Sequence, residues 1–189
     1  MRTTLEEYRK AVEYYASNSI DNLIHNRGNE HALIIFQNIF RTSNEHIRIA
    51  ANNLWNDEVV NTKENIDSLS AFLSKPNSKL DILLTNEPNI EDVKNRKGNN
   101  IYNMLYNHRA YLSGRVRIKS GEGKTFRYDG KPLHFCTADE RMYRLETNPD
   151  EREAQCNFCD VAHTGKLIDN FDRVYKTKLK EINLSEYFA

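Results

Sequence analysis

Two short apolar runs, His46-Ile-Arg-Ile-Ala50 and Leu80-Asp-Ile-Leu-Leu84, flank a stretch of helical periodicity, and this spacing constrains the fold more than any other feature. Each run is too short for a stable helix and rich in Ile and Leu, so both read as strands. Between them Ile66, Leu69, Phe72 and Leu73 recur at helical intervals over about 62–74, and Pro76-Asn77 turns the chain back. Strand, helix, strand at this interval is the sequence form of a parallel βαβ unit. Its strands run out at Asn52-Asn53 and Thr85-Asn86. Ligands of open α/β sheets gather beyond the carboxyl ends of parallel strands, which makes Asn52, Asn53 and Asn86 candidate binding residues.

Upstream, Thr4 and Glu7 stand at capping-box spacing. Leu5, Tyr8, Val12, Tyr15, Ile20, Leu23 and Ile24 then predict one helix, or two short ones, over 4–24. Asn26-Arg27-Gly28-Asn29 reads as a loop and Glu30–Arg41 as a second helix. Downstream a helix is expected near 99–112, ended by Gly114, and Arg115-Val-Arg-Ile-Lys119 alternates as a half-buried strand does. Gly121 to Gly123 forms a turn, and from Thr125 the chain is β-rich. Leu133–Ala138 and Met142–Glu146 pair as a hairpin about residues 139–141, a polar loop covers 147–152, and Ala154–Phe158 is a further strand. Asp160 caps a closing helix over about 161–181. The expected fold class is α/β, a mixed and largely parallel sheet flanked by helices, with a late β hairpin and a C-terminal covering helix. Residues 1–28 form an N-terminal helical segment and 29–189 a single domain.

Several function classes fall away on composition. No window approaches eighteen consecutive apolar residues, so no membrane-spanning helix is expected, and no amphipathic anchor is evident. The charged opening, Met1 to Lys10, has no apolar signal core, and three cysteines make an odd set rather than a disulfide framework. A cytoplasmic protein follows. Net charge is zero, with 27 Lys and Arg against 27 Asp and Glu. The distribution is uneven: residues 94–131 carry ten basic side chains, Arg115, Arg117, Lys119 and Lys124 among them, against Glu122 and Asp129. Such a belt reads either as a phosphate-binding surface or as a solvated face. Arg115, Arg117 and Lys119 are its candidate phosphate or nucleic-acid ligands.

Chemistry concentrates in the hairpin. With three residues in the turn, Ala138 faces Met142, Cys136 faces Arg144 and His134 faces Glu146. A carboxylate beside an imidazole sets its tautomer and raises its basicity, as a nucleophile or general base needs. Arg144 adds a permanently charged fork suited to phosphate. The alternative is an ordinary cross-strand His–Glu contact beside a surface Arg. Cys156, Cys159 and His163, with Cys136 nearby, have a zinc-like composition. Cys156 falls inside an apolar strand pattern and His163 in a helix's first turn, so no metal is expected. Tyr102, Tyr106 and Tyr111 at near-helical spacing could stack bases but read better as core. Phosphate-loop, nucleophile-elbow and dinucleotide motifs are all missing from the sequence.

Three stretches together resemble a phospholipase D-like domain: His25 to Ala32 leading through a helix into His46–Leu54, Leu133 to Glu146, and Glu153 to Asp160 with the helix containing Phe171-Asp172. The resemblance spans roughly residues 25–180 and is similar to small single-unit bacterial members, some associated with anti-phage defence. It implies a site of two His-x-Lys units, within one chain or across a homodimer, in which one histidine attacks phosphorus and the other protonates the leaving oxygen. No cofactor is implied. His134 matches the family's histidine, and Asn157 falls where the family places a polar residue on the following strand. Position 136, the lysine's place, is Cys136, and Asp139 precedes the usual aspartate position. A missing lysine removes transition-state charge stabilisation, which Arg144 across the hairpin would replace. The expected function is a phosphate- or nucleic-acid-binding domain, catalytically degenerate and part of a defence system. The alternative is a homodimeric metal-independent phosphodiesterase or nuclease using His134, with Arg144, Glu146 and Asn157 completing its catalytic set. Expected partners are a phosphodiester or nucleic acid, a second copy of the chain and a larger defence complex.

Overall fold

In the computed structural model, which describes residues 3–121, 126–128 and 131–188, one sheet organises the chain. The Gly121–Gly123 turn and Lys124 lie wholly or partly outside the described residues. The first helix, α1 (Leu5–Ser17), starts with the expected capping box: Glu7 N donates to Thr4 Oγ1 at 3.2 Å and Thr4 N to Glu7 Oε2 at 2.8 Å. It stops well before residue 24. The Asn18 side chain donates to the Tyr14 carbonyl at 2.8 Å and Ser19 turns left-handed at φ 50°, which ends the helix. Ile24 instead opens a strand, β1 (Ile24–Asn26), whose three residues pair antiparallel with a strand near the C-terminus.

Next come α2 (Asn29–Thr42), β2 (His46–Ala51), α3 (Lys63–Leu73) and β3 (Lys79–Leu84), the expected βαβ unit, with β2 and β3 parallel from His46↔Lys79 to Ala51↔Leu84. Two short helices follow, α4 (Ile90–Asn95) and α5 (Ile101–Asn107). The helix expected over 99–112 breaks at His108, whose extended backbone (ψ 138°) separates α5 from α6 (Arg109–Leu112). β4 (Val116–Ser120) then pairs parallel with β3. A small two-stranded ladder, β5 (Arg127–Tyr128) and β6 (Lys131–Pro132), precedes β7 (Phe135–Ala138), β8 (Met142–Asn148) and β9 (Glu153–Asn157). The closing helix α7 (Val161–Tyr175) ends six residues before the expected 181, and β10 (Lys180–Glu181) and α8 (Ser185–Phe188) finish the chain.

The eight-stranded sheet runs β1-β9-β8-β7-β2-β3-β4-β10. It is mixed, as expected, but parallel pairing is confined to β2-β3-β4 and the other ladders are antiparallel. Strand alternation divides the core into two layers. Ile47, Ile49, Ile82, Cys136, Met142 and Cys156 face the layer that contains Ile34, Ile35 and Leu69, with Val12 and Ala16 of α1 in the same cluster. Ala50, Leu83, Phe135 and Tyr143 face the other way, under Leu167, Phe171 and Tyr175 of α7.

Asp139 links the hairpin turn to β2. It adopts φ 49°, and its carboxylate accepts from three backbone N–H groups: Asn44 at 2.6 Å, Glu45 at 2.9 Å and His46 at 3.1 Å. Asp139→Ala strips three donors of their acceptor and places a Cβ-bearing residue of poor left-handed tolerance in the turn. Urea denaturation should show a loss of about 2–3 kcal/mol, with Asp139→Asn losing clearly less.

Candidate functional site

The hairpin register sets the site. Cys136 pairs with Arg144 and Ala138 with Met142, and Glu146 N donates to the His134 carbonyl at 2.9 Å, which carries the ladder one step beyond β7. His134, Arg144 and Glu146 therefore emerge on the α2 side of the sheet. His134 Nδ1 lies 2.8 Å from Glu146 Oε2. A carboxylate can only accept, so Nδ1 carries the proton and Nε2 presents its lone pair or, in the imidazolium, a second N–H. Glu146 Oε1 lies 3.7 Å from Arg144 Nη2, and the guanidinium sits 5.1 Å above the Phe36 ring.

This trio is deeply set. Arg144 is 5% exposed, and burial pushes its pKa down against the opposing pull of Glu146. Burial pushes the Glu146 carboxyl up, but the His134 hydrogen bond and the Arg144 charge outweigh it and hold the carboxyl below its usual range. Cys136 and Cys156 flank Arg144 on the neighbouring strands; burial pushes both thiols up to about 12, so they are neutral. Position 136 supplies no charge. Two polar atoms of the trio, His134 Nε2 and Arg144 Nε, are buried and meet no hydrogen-bond partner. An unsatisfied charged donor in an interior is costly, and such groups mark places where a ligand or water completes the set.

All three residues line one pocket of about 370 Å³, together with Asn52 and Asn53 at the carboxyl end of β2 and Arg152 from the β8–β9 turn. Asn86 stands behind, its Nδ2 donating to Asn52 Oδ1 at 3.1 Å. Phe36, Phe40, Leu54 and Trp55 supply apolar wall. Sequence reasoning missed Trp55, Arg152 and the Asn65 side chain, which also lines the pocket. For Trp55 and Asn65 the only signal was the run of asparagines after β2, Asn52, Asn53, Asn56, Asn61 and Asn65; Arg152, in the β8–β9 turn, had none.

Other candidates are elsewhere. Asn157 points to the α7 side, where its Nδ2 donates to Asp21 Oδ1 at 2.8 Å and its Oδ1 accepts from Cys159 N at 2.9 Å, so it orders a loop and does not reach His134. The belt residues are engaged. Arg115 Nη1 donates to the carbonyls of Leu73, Lys75 and Ser78. Arg117 grips Asp81 through Nε at 2.9 Å and Nη2 at 3.0 Å, and Lys119 Nζ donates to the Tyr175 carbonyl at 3.1 Å. Arg117 and Lys119 face α7, away from the pocket. Asp81 also takes a bond from His46 Nε2 at 2.9 Å. The zinc alternative separates in space: Cys156 lies beside Arg144, whereas the His163 ring stacks on Tyr143, 4.5 Å between centroids, on the other face. Among the described residues no group of three His, Cys, Asp or Glu converges as a metal site. No helix among them is long and apolar enough to cross a membrane. Tyr102 is core, as expected, with Trp55 tilted against it at 5.8 Å.

No protein-family model and no curated protein matches this sequence. Solved structures do. TrmBL2, an archaeal chromatin protein described with a novel mode of DNA binding, superposes with a TM-score of 0.61 at 14% identity; the match covers 94% of this chain but 62% of TrmBL2. Nuc from Salmonella typhimurium, a phospholipase D family member, matches with a TM-score of 0.57 at 8% identity over 87% of this chain and 99% of its own. NucT from Helicobacter pylori matches with a TM-score of 0.51 at 12% identity over 85% of this chain and 100% of its own.

Proposed function

We propose that this chain, whose fold is that of the phospholipase D-like proteins, is a phosphate-recognition domain in which the arginine of the paired strand stands in for the lysine and turnover has been given up. One observation carries the reading: Arg144 Nε and His134 Nε2, both buried and both without a partner, belong to residues lining the same pocket. A phosphate oxygen would satisfy Arg144 Nε and, in the imidazolium form, His134 Nε2 through charge-assisted hydrogen bonds. Glu146 holds the imidazole in the orientation that directs Nε2 away from the carboxylate. Loss of turnover is inferred from Cys136, buried and neutral at the lysine's place: Arg144 supplies charge for binding from the paired strand rather than at position 136 itself. A DNA-binding neighbour and a phospholipase D family neighbour support a phosphate-bearing ligand, nucleic acid included. In this reading the domain acts with partners, as a homodimer or within a larger defence complex in the cytoplasm.

Thermal unfolding with inorganic phosphate tests it. At a hundredfold excess over Kd, binding adds about 2.7 kcal/mol, which for a chain of this size raises Tm by roughly 5–10 °C. Arg144→Met should abolish the rise, and bis(p-nitrophenyl) phosphate should not be cleaved. A second reading, a homodimeric phosphodiesterase, is favoured by the nucleophile-like arrangement of His134, with Nδ1 tethered and Nε2 unengaged. Metal-independent cleavage of that ester, lost in His134→Ala, would establish it instead.

A further inference from the structure

A polynucleotide needs a row of available cations, and beyond Arg144 and Arg152, which line the pocket, Arg27, Arg96, Arg117 and Lys119 are each matched. Arg27 is paired with Glu151 and Glu153, and Arg96 with Asp57 while lying 4.4 Å over the Trp55 ring. Arg117 and Lys119 face α7 with their own partners. The pocket itself is small, about 370 Å³, near the lower end for single-ligand sites.

Asn65 adds a feature that a bare phosphate does not need. It sits in the first turn of α3, is buried, and lines the pocket with Trp55 and Arg144. Its Nδ2 donates to the Val60 carbonyl at 3.2 Å, which fixes the amide so that Oδ1 is the remaining group. Oδ1 is buried and has no partner. The loop around it is held in place: Asn61 Nδ2 donates to the Leu54 carbonyl at 3.0 Å and Asn61 Oδ1 accepts from Ile101 N at 3.0 Å. One pocket thus joins unmatched donors on the sheet, an unmatched acceptor on α3, and aromatic walls from Phe36, Phe40 and Trp55.

We propose that the ligand is a nucleoside monophosphate: its terminal phosphate meets Arg144 and His134, its base lies against the aromatic wall, and an N–H of the base donates to Asn65 Oδ1. This rests on the phosphate reading above and narrows it from a phosphate-bearing ligand to a single nucleotide. Aromatic walls accept any base through its π face. An unpaired acceptor selects for a base that can donate, because leaving it empty on closure costs free energy.

Trp55 is the sole tryptophan, so its fluorescence reports on this pocket directly. The wild-type protein is titrated with the four common 5′-nucleoside monophosphates, with ribose 5-phosphate, with inorganic phosphate, and with a short oligonucleotide lacking terminal phosphates. At least one nucleotide should bind about tenfold or more tighter than ribose 5-phosphate. Asn65→Leu, and the gentler Asn65→Ser, should erase that margin while ribose 5-phosphate affinity stays unchanged, which also shows that the variants are folded. Nucleotides binding no better than ribose 5-phosphate would overturn the inference and leave the phosphate reading standing. Tighter binding of the unphosphorylated oligonucleotide would overturn it in favour of a polymer. Failure of every phosphate compound would remove the reading beneath it.

Discussion

Glu146→Leu should cost about 3–5 kcal/mol of stability, which for a chain of this size lowers Tm by roughly 6–20 °C. The loss comes less from the hydrogen bond itself than from what remains. Arg144 stays charged and 5% exposed between two neutral thiols, with Phe36 as its remaining counterpart. Arg144→Met should be milder, since Glu146 keeps His134 Nδ1 at 2.8 Å. The double variant should recover part of the Glu146→Leu loss, because an apolar pair of similar volume carries no desolvation cost. Urea denaturation of all three decides the matter: a double variant no better than Glu146→Leu alone would mean that the buried charge is not the cause. The acid limb offers a second check. The folded Glu146 carboxyl is held below its usual range, so its contribution is present above the unfolded value of about 4.3 and is lost as pH falls through the lower folded value. Wild-type stability should therefore fall more steeply below that pH than stability of Glu146→Leu does.

The parts of this site that could be read from the sequence are those set by strand alternation. Once residues 139–141 make the turn, His134, Arg144 and Glu146 must share a face, and the observed register places them so. The βαβ unit was readable for the same reason, since helical and strand periods alternate without overlap between His46 and Leu84. What escaped depends on contacts far apart in sequence. Ile20, Leu23 and Ile24 imitate a continuing helix, and only pairing with Cys156 makes Ile24 a strand residue. Alternation correctly put Arg117 and Lys119 on one side of β4, but that this side is covered by α7 follows from topology. Arg117 also meets its partner Asp81 from a strand 36 residues away. Asn65 and Trp55 reach the pocket because Asn61 bridges Leu54 to Ile101, a junction no local pattern encodes.

Phe171→Ala should destabilise the protein as severely as Glu146→Leu, by about 3–5 kcal/mol, yet leave phosphate affinity of the folded molecules unchanged. Phe171 is fully buried on the α7 side, edge-on to Phe135 at 6.3 Å and stacked on Tyr175 at 5.1 Å. Truncation leaves a cavity among rigid rings that cannot collapse to fill it. The helix is otherwise tied down by Asp172, whose Oδ1 accepts from Arg48 Nε at 3.0 Å, so it should stay docked. No α7 residue lines the pocket. In the proposed reading recognition lies on the α2 face alone, whereas both faces carry stability, and the two variants separate them: one empties a core, the other strands a charge beside the proposed phosphate site. Calorimetric phosphate titration of Phe171→Ala, kept well below its lowered Tm, should return the wild-type Kd. A tenfold weakening would mean that the position of β7 under α7 governs where His134 points, and the two faces would then be mechanically coupled through Phe135.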